Sequence, residues 1–110
     1  MATTTELAER LLRKLGVLGG GEAPSADDGA VAEEKIVAVH EAVTALGRAN
    51  WPVDEVPPYA IEPYTLMGTV LAGPDFGRPV DTGAWVMGLR MLAAGSAAAV
   101  SKCPIHAEYF

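Results

Sequence analysis

The chain contains two histidines, and the first begins a pattern typical of zinc metalloproteases. In that pattern a second histidine lies four residues further along the same helix and completes the metal-binding pair. Here His40-Glu41 is followed at that position by Thr44, so the pair is not formed. His106 is isolated near the end of the sequence, and two separate histidines do not close a metal site. The sequence therefore predicts no metal site, and we expect His40 to be a partly exposed helix residue.

The other reactive side chains lack neighbours that would activate them. Cys103 is the single cysteine, which excludes an intramolecular disulfide framework, and Lys102 is its only charged neighbour. Asp27 and Asp28 precede a predicted helix, where carboxylates stabilise the helix dipole. The glycines at 19–21 are not followed by the Lys-Ser or Lys-Thr of a phosphate-binding loop. We therefore predict that the protein is not an enzyme and takes no cofactor.

Composition limits the remaining classes of function. A chain of 110 residues corresponds to one domain, and its formal net charge of −6 argues against a sequence-independent grip on nucleic acid. The first residues lack the basic segment and long apolar run of a signal peptide, and the apolar run near residues 91–100 is too short to span a bilayer. We expect a soluble protein without a membrane segment.

The longest predicted element extends from Ser25 to Leu46, and the rest of the chain is organised around it. Ser25 is a suitable N-cap and Gly47 a suitable residue just beyond the C-terminus, which predicts about six helical turns. A shorter amphipathic helix precedes it, with Thr3 as N-cap and Gly16 as its stop. The apolar residues of the long helix recur at spacings of four and three and share one face: Ala32, Ile36, Val39, Val43 and Leu46.

A proline-containing loop follows the long helix. Three prolines within residues 48–58 exclude a regular helix through most of this segment. We expect Trp51 to anchor the loop on the helices. The loop carboxylates Asp54 and Glu55, like Asp75 further along, are expected to be solvated.

The third predicted helix extends from about Pro58 to Ala72 and stops at Gly73-Pro74. Pro63 lies either in the first turn of a helix that begins near Glu62 or at a kink within the longer helix. The sequence alone leaves both arrangements open.

The fourth predicted helix is apolar on all sides. Asp81 or Thr82 caps it, it reaches about Ala94 or Ala99, and Arg90 is its only charge. A helix of this kind is buried all round, which one small domain does not readily provide, so we expect cover from another copy of the chain. Three glycines would allow close backbone approach: Gly83, Gly88 and Gly95.

These elements predict an all-α fold: a bundle of about four helices over residues 1–100, with an extended C-terminal tail over residues 101–110. An exposed apolar helix face together with an aromatic tail is typical of an assembly component. The tail either docks on a neighbouring protein or packs on the chain's own core. We predict that the second helix, the fourth helix and the tail supply the protein-interface residues, some of them shared with the core: Ile36, Val39, Trp85, Leu89, Leu92, Ile105, Tyr109 and Phe110.

Three motifs follow one another within residues 4–95. A first helix ending in Leu15-Gly16 precedes a Gly-Glu-Ala-Pro-Ser turn at 21–25, Trp51 precedes an acidic loop at 53–58, and residues 71–77 end in Phe-Gly. In this order they resemble the small helical head-to-tail adaptor proteins of tailed bacteriophages, also called head completion or connector proteins. Pro63 and the strongly apolar fourth helix depart from the family pattern.

The resemblance implies a ring, usually of twelve copies, beneath the portal of a filled capsid. Such a ring lies in the virion neck, is assembled in the host cytoplasm, extends the DNA channel without sequence-specific DNA binding, and joins the head to a downstream neck, tail or stopper protein. The family has no catalytic activity. By the same analogy Tyr109 and Phe110 dock on the portal protein. The acidic net charge suits a channel through which DNA slides without sticking.

Two other classes of protein fit the same residues. One is a small cytoplasmic helical partner-binding or regulatory module, which would form a small oligomer and would not bind a portal. The other is an enzyme subunit whose active site lies on a different chain.

Overall fold

The computed structural model of the chain describes residues 1–19, 21–79 and 81–101, with residues 99–101 described by their backbone alone. Over these residues it confirms the predicted all-α fold. Of the predicted tail over residues 101–110, Ser101 is instead the last residue of the fourth helix, and residues 102–110 lie outside the described residues. Four α-helices and one short 3₁₀ helix follow in chain order: α1 (Thr4–Lys14), α2 (Ala26–Ala45), α3 (Pro58–Ala72), the 3₁₀ helix (Gly73–Phe76) and α4 (Thr82–Ser101).

The ends of α1 are set by residues that the sequence identified. The Glu6 backbone N–H donates to the Thr3 hydroxyl oxygen at 3.2 Å, which is the predicted N-cap. At the other end, Gly16 has a φ of +77°, a conformation that favours glycine. The turn there lets the backbone N–H of Val17 reach the carbonyl of Leu12 at 3.0 Å.

α2 also begins and ends as predicted. The Asp28 N–H donates to the Ser25 hydroxyl at 3.2 Å. Gly47 adopts a φ of +73°, and the Arg48 N–H donates to the Val43 carbonyl at 2.9 Å. The first four predicted apolar positions are fully buried. Leu46 is 60% exposed, because it follows the last residue of the helix rather than lying on its packed face.

α3 lies at the centre of the domain and packs against α1, α2 and α4. It begins at Pro58, so Pro63 lies inside the longer helix, where it is buried. The predicted stop at Gly73-Pro74 is confirmed, because α3 ends at Ala72 with Gly73 as its C-cap. The chain continues as the 3₁₀ helix and turns at Gly77, which has a φ of +66°.

The core lies between α1, α2 and α3, and α4 contributes the fully buried Leu92. The domain is elongated, with extents of 52 × 25 × 24 Å, and α4 packs chiefly on α3. The largest fully buried side chains are Tyr64, Leu7, Leu11, Leu12, Ile36, Met67, Leu92, Val39, Val43, Val56 and Pro63.

The loop before α3 holds the start of α1 in place. One carboxylate oxygen of Asp54 accepts hydrogen bonds from the Thr4 N–H at 3.1 Å and the Thr4 hydroxyl at 2.7 Å. An antiparallel bridge between Ala2 and Val56 continues this contact. Asp54 is exposed to solvent as expected, and these hydrogen bonds give it a structural role in addition. Asp75 likewise forms an ion pair, with its carboxylate 3.2 Å from the Lys35 ammonium.

Candidate functional site

Two glycines of α4 set how it packs on α3. A Cβ atom at Gly88 would lie 2.7 Å from Met67 Cγ, and one at Gly95 would lie 2.6 Å from Tyr59 Cδ2. Real Cβ atoms do not approach neighbours so closely, so both positions require the absence of a side chain. Gly83 meets only the Asp81 side chain and does not contribute. The predicted close approach is therefore confirmed at two of the three glycines.

The glycines orient the whole helix, because residues three, four and seven apart lie on the same side of it. Leu92 lies between them and is fully buried. Trp85 and Leu89 lie on the same side, pack against the core and are half-buried.

Outside this packed side and along its edge, α4 exposes large apolar side chains. We call this surface the α4 outer face and define it by Val86, Met87, Arg90, Met91 and Ala94. The exposed fractions of Val86, Met87 and Met91 are 49%, 55% and 37%. Arg90 and Ala94 are exposed as well, and Arg90 is the only charged residue of α4. Contiguous exposed apolar groups with a polar residue among them are typical of a protein-interaction surface.

A second exposed surface lies on α2 and has the opposite charge. We call it the α2 acidic stripe and define it by Glu34, Val37 and Glu41. The spacings of three and four place these residues along one side of the helix. Val37 is 36% exposed and both glutamates are exposed. The stripe thus presents a small apolar patch between two carboxylates.

The structure separates the predicted interface residues into two groups. Ile36, Val39 and Leu92 have no exposed surface, because they fill the space between the helices. They are core residues and cannot contact a second copy while the domain stays folded, which corrects their predicted part in an interface. Trp85 and Leu89 are half-buried on the side of α4 that faces α3. Ile105, Tyr109 and Phe110 lie outside the described residues.

Sequence reasoning missed the residues that are exposed, chiefly Val37, Met87 and Met91. The signal for Met87 was present in the spacing. Gly88 and Gly95 are seven residues apart, and Leu92 lies on the side they share. Met87 is not three, four or seven residues from either glycine, so glycine spacing places it away from the packed side. Met91 is three residues after Gly88 and four before Gly95, so it lies at the edge of that side.

A buried polar cluster joins the 48–58 loop to α2 and α3. The Trp51 indole N–H donates to the Tyr64 hydroxyl oxygen at 3.1 Å, and that hydroxyl lies 2.7 Å from Nδ1 of His40. Trp51 also packs edge-on against Tyr59, with ring centroids 5.9 Å apart. The predicted anchoring role of Trp51 is confirmed, and so is the half-exposed state of His40. The sequence did not predict their shared partner, Tyr64.

The protonation states in this cluster follow from its hydrogen bonds. An indole N–H can only donate, so the Tyr64 hydroxyl hydrogen is free to donate to Nδ1 of a neutral His40. Burial raises the pKa of Tyr64 to about 12, so it stays uncharged. Burial also lowers the pKa of His40, against a smaller opposite effect of the Glu41 carboxylate. The cluster is a structural network in which the Trp51 N–H, the Tyr64 hydroxyl and His40 Nδ1 each have a hydrogen-bonding partner.

An open cleft of about 230 Å³ between α1 and α2 is lined by two carboxylates, Glu9 and Glu33. Both have structural partners. Glu33 accepts a hydrogen bond from the Thr5 hydroxyl at 2.9 Å, and Glu9 lies 3.7 Å from the Arg13 guanidinium. The cleft therefore offers no evident acid–base pair for catalysis.

Two other kinds of site are absent from the residues that the structure describes. Over 1–19, 21–79 and 81–101, no three or more His, Cys, Asp or Glu side chains come together in a way that could hold a metal ion. Within the same part of the chain, none of the helices combines the length and apolar character that crossing a membrane requires.

No protein-family model, curated protein or solved structure matches this chain. Its function is therefore inferred from the sequence motifs and from the geometry of its surfaces.

Proposed function

We propose that this protein is a structural adaptor of a virion neck. Copies of it form a ring below the portal of a tailed-phage or gene-transfer particle, extend the DNA channel and join the head to the next neck or tail component. The observation that carries the proposal is the α4 outer face. It leaves large apolar side chains such as Met87 and Met91 in contact with water, which is costly for a protein that acts alone.

The positions of the three sequence motifs support the same proposal. Leu15-Gly16 ends α1, and Pro24-Ser25 begins the long α2. The acidic loop after Trp51 leads into α3, and Phe76-Gly77 ends the 3₁₀ helix. Each motif lies where the resemblance to head-to-tail adaptors expects a helix end or a turn.

In this proposal the protein works by assembly. Each contact between copies is small, but closing a ring lets every copy use two contacts at once. Docking of many identical tails on one portal multiplies a weak affinity in the same way. The net charge of −6 disfavours tight binding of DNA as it passes through the channel.

We assign portal docking to the C-terminal tail, with Ile105, Tyr109 and Phe110 as its apolar contacts. The test is co-sedimentation of the purified chain with the portal protein of the same genome. The full chain is expected to sediment with portal rings. A variant that lacks residues 103–110 is expected to remain in the supernatant, with its circular dichroism and unfolding midpoint unchanged.

Each other outcome has a distinct meaning. If the deletion unfolds the domain, the tail is a latch on the chain's own core and the docking assignment fails. If the full chain never sediments with the portal, the adaptor function itself is wrong. A small oligomer that does not bind the portal would instead favour the alternative function, a cytoplasmic partner-binding or regulatory module.

A further inference from the structure

The α4 outer face and the α2 acidic stripe are complementary in charge and in apolar content. Arg90 lies between two exposed methionines on α4. Val37 lies between two exposed glutamates on α2. Each surface thus combines exposed apolar side chains with charged ones, and the charges on the two surfaces are opposite. Such complementarity selects partners and orients them.

Pairing of α4 with α4 of a second copy would be much less favourable. The outer face spans residues 86–94, and Arg90 is at its centre. Two antiparallel helices meeting at that centre would place their two Arg90 side chains side by side, and α4 contains no carboxylate to compensate. Like charges in direct opposition disfavour such a contact.

We propose that α4 of one copy docks on α2 of the next copy, with Met87 and Met91 covering Val37. Glu34 and Glu41 lie about 4.5 Å and 6 Å from Val37 along the helix axis, because each residue adds about 1.5 Å. Arg90 of one copy then lies within about one helical turn of Glu34 or Glu41 of the next copy, whether the two helices are parallel or antiparallel. The contact joins two different surfaces, so repetition closes a ring or extends a filament. This inference rests on the proposed ring and assigns its subunit contact.

Cysteine cross-linking in the full chain tests the contact. In a Cys103→Ser background, the Val37→Cys/Met87→Cys variant is treated with a short bis-maleimide. It is expected to give a ladder of cross-linked species beyond the dimer, because each copy offers one cysteine to each neighbour. Leu46→Cys/Met87→Cys is the control. Leu46 is 60% exposed but about 13 Å further along the axis of α2, so this variant is expected to give no ladder.

Charge reversal provides an independent test by sedimentation or mass photometry. Arg90→Glu is expected to weaken self-association roughly tenfold, and adding Glu34→Lys and Glu41→Lys is expected to restore it. Arg10→Glu, at an exposed position on α1, is the matched control with no expected effect. All four positions are exposed, and circular dichroism checks that each variant is folded.

Four results would overturn the contact. Dimers formed by Met87→Cys alone would show that α4 pairs with itself. Slow maleimide labelling of Met87→Cys that becomes fast when residues 103–110 are removed would show that the tail covers this face. A ring that assembles without any Val37–Met87 ladder would refute the contact alone, whereas a chain that never assembles, with or without portal, would refute the proposed function as well.

Discussion

The backbone of Gly88 in α4 lies directly against the carbonyl of Pro63 in α3. A Cβ atom at position 88 would be 3.1 Å from that carbonyl oxygen and 2.7 Å from Met67 Cγ. This contact fixes which side of α4 is packed. It thereby turns Met87 away from α3, and Met87 is 55% exposed.

Gly88→Ala is therefore expected to destabilise the domain by about 1–3 kcal/mol, because the added methyl group overpacks the contact between α3 and α4. Gly29→Ala is the matched control within a helix. A Cβ there would meet nothing closer than 3.9 Å, so the substitution is expected to stabilise by up to about 1 kcal/mol through helix propensity. Urea unfolding of both variants measures the difference. Equal or greater stability of Gly88→Ala would contradict the close packing.

Tyr64→Phe is expected to lower the free energy of unfolding by about 1–3 kcal/mol. The substitution keeps the ring but leaves the Trp51 N–H and His40 Nδ1 without their shared partner. A double-mutant cycle with Trp51→Phe is expected to show a coupling of at least about 0.5 kcal/mol between the two residues. Additive effects of the two substitutions would show that this hydrogen bond does not contribute.

His40 is expected to make stability depend on pH. Its folded-state pKa is lowered from 6.5, so the unfolded chain binds the proton more readily. The contribution of neutral His40 to the free energy of unfolding is fully present above about pH 6.5. It is lost as the pH drops through the lower folded-state pKa, by at most about 1.4 kcal/mol per pH unit. Unfolding measured between pH 5 and 8 tests this. His40→Gln should remove the dependence and His106→Gln should retain it, and the reverse result would exclude His40 as its source.

Asp54→Ala is expected to destabilise the start of α1, because Thr4 loses both of its hydrogen bonds to the carboxylate. Glu55→Ala, at the next exposed position, is the control with little expected effect. The side-chain and backbone hydrogen bonds from Thr4 lower the pKa of Asp54 below its ordinary value of 3.8. Its contribution is therefore present above pH 3.8 and is lost as the pH falls through the lower folded-state pKa. Hydrogen exchange of the first turn of α1 at neutral pH measures the effect. Unchanged protection in Asp54→Ala would show that the Asp54 carboxylate does not stabilise this turn.

Local signals in the sequence predicted much of the fold. The caps at Thr3 and Ser25 and the stops at Gly16 and Gly47 depend on residues within a few positions of each other, so they can be identified from the sequence alone. The buried face of α2 follows from its spacing in the same way. Pro63 could not be placed by such signals, because packing of α3 at the centre of the domain offsets the cost of a proline within a helix.

The contacts that the sequence did not predict are all distant along the chain. Thr4 and Asp54 are 50 residues apart, and His40 and Tyr64 are 24 apart. Such pairs meet only after the helices have packed. The outward side of α4 was missed for a related reason. Its apolar residues point in every direction, so periodicity alone could not separate core residues such as Leu92 from exposed residues such as Met87.

The most direct test of the adaptor function is the mass of the native assembly. Native mass spectrometry of the full chain, alone and with the portal protein of the same genome, counts the copies. A closed ring of about twelve copies is expected, formed either by the chain alone or on the portal. A monomer or dimer that stays unchanged when portal is added would contradict it.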